Sequence, residues 1–110
     1  MECNIHLQSW LNRLAGDKSV PAIMLLHDFD LDEVISETPF NVTFDYPLDR
    51  AVTFECPAPV TYRSFIKFVA ETYRDKIYQS EHGVWGHGLG DLYLEGAEFK
   101  NGAVHLIMGS

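Results

Sequence analysis

Cysteine is scarce in this sequence, which holds only Cys3 and Cys56 and no CxxC pair. Two such widely separated thiols make neither a disulfide framework nor a zinc-finger ligand set. Cys3 is expected to be a loose terminal thiol, and Cys56 a small buried hydrophobe. Long apolar runs are missing too. The longest, Val20 to Leu26, has seven residues, well short of the roughly 18 that a membrane helix needs. Glu2 and His6 stand where a signal peptide would carry a basic start and an apolar segment. The expected setting is cytoplasmic, with no membrane contact. Positive charge is the third shortage. Eight Lys and Arg face 16 Asp and Glu, a net charge of −8, whereas binding to phosphate backbones draws most of its affinity from cations. Nucleic acid is therefore not an expected partner.

What is present is ordinary for a folded protein: 110 residues, 46% hydrophobic and 22% charged, enough for one domain spanning 1–110 with a single core. The acids are uneven. Residues 1–60 carry ten against three bases, and residues 61–110 six against five. A partner with a basic surface would be drawn to the N-terminal half.

The longest periodic stretch is Val60 to Ser80. Tyr62, Phe65, Ile66, Val69, Ala70, Tyr73 and Ile77 recur at offsets of three, four and seven, a single helical stripe. Thr61 is its expected N-cap. A shorter amphipathic helix is predicted over Asn4–Ala15, with Leu7, Trp10, Leu11 and Leu14 on one side and Gly16 ending it. Trp10 either anchors that helix to the core or faces a partner. Val20 to Leu26 reads equally as a helix opened by Ser19 and Pro21 or as a buried strand. Asp28 to Asp32 alternates as an extended edge, against a short helix from Leu31 to Ser36 capped by Asp30.

From Asn41 a two-residue period takes over. Val42, Phe44 and Tyr46, then Val52, Phe54 and Cys56, mark the buried side of one hairpin turned at Pro47–Arg50. Asp91–Phe99 and Ala103–Met108 mark a second, turned at Asn101-Gly102, where both residues tolerate positive φ. This second hairpin contains a conflict. A two-residue turn pairs Phe99 with Val104, Ala97 with Leu106 and Glu95 with Met108, yet Leu92 and Leu94 also need the core. A bulge at Gly96 removes the conflict by inserting one residue. The expected fold is α+β: a mostly antiparallel sheet from two hairpins packed on a central helix, with a short N-terminal helix.

The stretch from His82 to Asp91 is where chemistry is sought. Gly83, Gly86, Gly88 and Gly90 alternate with His82, Trp85 and His87, and glycine permits close backbone approach to a ligand. The order helix, loop, strand is the reverse of a dinucleotide loop, and no P-loop lysine follows. His82, His87 and Asp91 lack the further ligands that a zinc site needs. Asp28, Asp30 and Asp32 match the start of a calcium loop, but Glu33 replaces its glycine and Pro39 its bidentate glutamate. No cofactor is expected. Glu55 beside Cys56 would oppose thiolate formation, no serine sits in a nucleophile elbow, and no carboxylate pair is spaced as acid and base. Whether the chain is an enzyme stays open at this level. The favoured reading is a small acidic protein-interaction domain, bound to a basic partner or to its own copy. The alternative is a small-molecule-binding protein or enzyme that uses His82, Trp85, His87 and Asp91 at the mouth of a pocket.

Overall fold

The chain opens as a strand and turns into a helix at His6. The computed structural model, which describes residues 1–16, 24–25, 30–78 and 88–110, places β1 at Glu2–His6 and α1 at Leu7–Leu14. The predicted helical start at Asn4 is thus corrected. A two-residue period runs through the same residues and sends Cys3 and Ile5 into the core, each 2% exposed. Leu7, Trp10 and Leu11 are buried on α1, so Trp10 anchors the helix. Its indole Nε1–H has no hydrogen-bond partner among the described residues. Gly16 ends the helix at φ 99°, its N–H donating to the Arg13 carbonyl at 3.0 Å.

Further strands follow: β2 at Met24–Leu25, β3 at Val34–Ser36, β4 at Phe40–Phe44, β5 at Val52–Cys56 and β6 at Val60–Thr61. Met24 and Leu25 are thus extended, while the rest of residues 20–26 lies outside the described part. The alternation expected to reach Asp32 is replaced by a turn. The Asp30 carboxylate accepts the Asp32 N–H at 2.9 Å, and the Asp30 carbonyl accepts the Glu33 N–H at 3.0 Å. An aspartate that accepts from the following backbone through both its carboxylate and its carbonyl satisfies the local chain more cheaply than a strand or a helix does. Asp28 and Phe29 lie outside the described residues; over 30–36 neither the extended run to Asp32 nor a helix over 31–36 forms.

The major helix, α2 at Tyr62–Thr72, starts at a reciprocal cap. Thr61 Oγ1 accepts the Ser64 N–H at 3.0 Å, and Ser64 Oγ accepts the Thr61 N–H at 2.9 Å. The helix then widens into a π-helical turn over Tyr73–Ile77, with the Tyr78 N–H donating to the Tyr73 carbonyl at 2.9 Å. After a 3₁₀ turn at Leu89–Asp91, β7 at Tyr93–Lys100 and β8 at Ala103–Gly109 end the fold.

The strands assemble in the order β2-β1-β7-β8-β4-β5, with β3 and β6 as a separate ribbon. The chain is α+β and its sheet mostly antiparallel: a five-stranded body, with the two-residue β2 added at one edge. Two features depart from a sheet made of two hairpins alone. β1 lies against β7 with Ile5 opposite Leu94, and β4 runs parallel to β8, Val42 opposite Val104. In the β7–β8 pair, Phe99 faces Val104 and Ala97 faces Leu106, then Gly96 faces Ile107 and Leu94 faces Met108. Glu95 is the extra residue of the bulge that the alternation demands. Asn101 at φ 51° and Gly102 at φ 76° make the turn.

One face of the sheet carries the core. Phe65, Ile66, Val69 and Tyr73 are fully buried, as are Phe44 and Leu94. The Phe65 and Phe99 rings lie 5.6 Å apart, and those of Phe44 and Tyr73 5.2 Å, edge to face. The Tyr73 hydroxyl donates to the Tyr46 carbonyl at 2.5 Å, and burial raises its phenol far above the usual tyrosine range. Among the described residues, no helix is long and apolar enough to cross a membrane.

Candidate functional site

Of the residues that the sequence nominates, His82, Trp85 and His87 lie outside the described residues, and Asp91 lies within them. The Asp91 carboxylate accepts the Gly88 N–H at 3.0 Å, and the Asp91 N–H donates to the Gly88 carbonyl at 3.0 Å. Asp91 is therefore committed to closing the turn over 88–91, an acceptor for backbone at the point where the loop joins β7.

The fold brings to this turn a residue that the sequence leaves far away. His6, the N-cap of α1, has its Nδ1 2.5 Å from Ser9 Oγ and 3.3 Å from the Ser9 N–H, and its Nε2 2.5 Å from the Gly90 carbonyl. Acceptance of the amide N–H leaves Nδ1 without a proton, so Nε2 carries it and donates to Gly90. Ser9 then donates its hydroxyl to Nδ1. The ring also leans on Tyr93 at 5.0 Å. A serine, a base and an orienting carbonyl stand in sequence here, as in nucleophile activation. Both ring nitrogens are also engaged by the helix start and the loop end, and that is the work of a pin between α1 and the turn. Histidine outside the usual set of N-cap residues gives no sequence signal for this role.

Neither thiol is available for nucleophilic chemistry. Cys3, expected to be loose, is buried, with its Sγ–H donating to the Leu94 carbonyl at 3.3 Å. The β1–β7 pairing that buries it is invisible to local sequence. Burial pushes the Cys3 thiol up to about 12 and the Cys56 thiol up to about 11. No group of three or more His, Cys, Asp or Glu converges on a metal position among the described residues.

The outer face of the sheet is the larger feature. Strand alternation places Thr53 and Glu55 of β5, Thr43 of β4, His105 and Ile107 of β8, and Tyr93 and Glu98 of β7 away from the core. Ile107 is 41% and Tyr93 37% exposed. Glu2 and Glu95, with Cys3 and Asn4, line a shallow open depression of about 390 Å³ at the β1 end. The Thr43 and Thr53 hydroxyls meet at 3.3 Å.

His105 Nε2 lies 2.8 Å from the Asp45 carboxylate on this face. That hydrogen bond, followed by the carboxylate's charge, raises the His105 pKa. Its folded value being raised, the pair's stabilisation is complete in acid, below the ordinary imidazole value, and is lost as pH rises through the raised midpoint. Exposure and salt keep the contribution small. Asp45→Asn is expected to bring the NMR titration midpoint of His105 down, and an unchanged midpoint would dissolve the pair.

Compared with family models, curated proteins and solved structures, the chain returns no match.

Proposed function

We propose that the chain is a protein-interaction domain that docks a basic partner on the outer face of its sheet. The observation that carries this reading is the combination of exposed Ile107 and Tyr93 with carboxylates that have no ion pair among the described residues, Glu55 and Glu95. Glu98 lies opposite His105 in the next row. The ring contacts that α2 and its π-helical turn make through Phe65 on Phe99 and Tyr73 on Phe44 are with the inner face. Exposed apolar groups set among unmatched charges of one sign provide an anchor and steer a partner of opposite charge. Such a partner presents Lys or Arg around an apolar contact, and its association weakens as salt screens the face.

The test compares the intact chain with a Glu95→Lys/Glu98→Lys variant in affinity capture from cell extract at low and physiological salt. A protein retained by the parent, released by salt and lost from a variant of unchanged thermal stability is the expected result. Equal capture by both forms would remove the outer face from the interface. The same acidity predicts no complex with mixed-sequence DNA or RNA at micromolar protein in a mobility-shift titration. Tight, salt-sensitive nucleic-acid binding would overturn the charge argument.

A further inference from the structure

Positive charge in this acidic chain is gathered on its helical side. α1 and the run Tyr62–Ile77 together carry Arg13, Arg63, Lys67, Arg74 and Lys76 against Glu71 and Asp75, five bases to two acids where the whole chain has a net charge of −8. Offsets of four and three place Lys67, Glu71 and Arg74 on one stripe. That stripe turns away from Phe65, Val69 and Tyr73, which are buried. α1 lies alongside α2, and between them an open groove of about 310 Å³ is lined by Leu11, Leu14, Ala15, Lys67, Glu71 and Arg74. Leu14 belongs to the apolar stripe of α1, yet it is 45% exposed in this groove.

We propose that this groove receives the outer sheet face of a second copy, so that copies stack head to tail. The inference rests on the docking role proposed for that face and names its basic partner as the chain itself. The face calls for Lys or Arg set around an apolar contact, and the groove supplies Lys67 and Arg74 beside Leu11 and Leu14. The face in turn offers exposed Ile107 and Tyr93 with Glu55, Glu95 and Glu98, against Lys100. Apolar contact meets apolar contact, and each charged rim meets its opposite. This complementarity between two surfaces of one chain selects a second copy as the occupant.

Acids within the helical stripe do not saturate its cations. Glu71 reaches Lys67 at 4.0 Å and Arg74 at 3.6 Å, and exposed pairs of this kind contribute little. Arg74 also donates to the Asp75 carboxylate at 2.6 and 2.8 Å, which leaves further guanidinium N–H groups for an incoming carboxylate. Because the groove and the sheet face point in opposite directions, each copy gives one surface and takes one. Such a heterologous contact closes no pair and repeats along a line. The net charge of −8 repels copies at a distance, but physiological salt screens that repulsion more than it screens groups in contact.

Sedimentation velocity of the intact chain at physiological salt, over a wide concentration range, is the test, with circular dichroism to confirm folding of each variant. The expected mass rises from 12.5 kDa through twice that value without stopping there. Leu14→Gln/Arg74→Gln spoils the groove, and Ile107→Gln/Glu98→Gln spoils the face. Each variant alone should associate about tenfold more weakly. Mixed, the two should form a one-to-one pair that grows no further, because the mixture keeps one intact groove and one intact face. Assembly that ends at two copies of the parent, that is indifferent to either variant, or that is not regained as a pair in the mixture would overturn the proposal. So would a chain that stays monomeric at every concentration. If that monomer still captured a basic protein through Glu95 and Glu98, the docking role of the face would stand and only docking on its own copy would fall.

Discussion

Replacing Phe65 with alanine is expected to cost about 3–5 kcal/mol, the usual loss for a fully buried phenylalanine. Phe65 is 0% exposed, and its ring lies 5.6 Å from that of Phe99, which in turn packs on Phe40 at 5.5 Å. The truncation removes the contact between α2 and the β7–β8 pair, and leaves a void between elements too rigid to collapse into it. Against a total stability on the order of 5–15 kcal/mol for a domain of this kind, the loss is a large share. Urea denaturation of both forms measures it. A difference below about 1 kcal/mol would place Phe65 on the surface and turn the helix face the other way.

The second large effect is expected at Gly96→Val. A Cβ on Gly96 would stand 2.7 Å from the Met1 carbonyl oxygen and 3.4 Å from Ile107 Cδ1. The first contact is with backbone, so no side chain can swing aside to relieve it. That same carbonyl accepts the Ala97 N–H at 3.1 Å. The substitution therefore drives the start of β1 off β7, at a cost on the order of 1–3 kcal/mol for overpacking. Hydrogen exchange distinguishes this from general weakening. The amides of Cys3 and Ile5 should lose protection before those of Val42 and Phe44, which lie on the far side of the sheet. Uniform loss, or none, would mean that the bulge does not hold β1.

Local chemistry determined a good deal of this fold. The face of α2 follows from its spacing, and its start from Thr61 and Ser64, which cap each other within four residues of chain. The β7–β8 turn follows from Asn101-Gly102, and the bulge beside Gly96 from the opposed parities of Leu94 and Ala97. In each case the deciding interaction joins residues close in sequence, so its signal lies in a short window. The candidate site was less legible. Asp91 was visible as a polar residue in a glycine loop, but its role as the acceptor for Gly88 depends on backbone geometry.

Tertiary structure decided the remainder. Residues 4–6 satisfy a helical period and a strand period at once, and only the pairing of Ile5 with Leu94 selects the strand. Nothing local records that β4 runs parallel to β8, because the contact closes a loop through α2 and β7. His6 reaches Gly90 only because β1 lies beside β7. A periodic pattern states which side of an element is apolar, but not which other element covers it. That choice is made where apolar faces distant in the chain meet, once their burial outweighs the entropy of bringing them together.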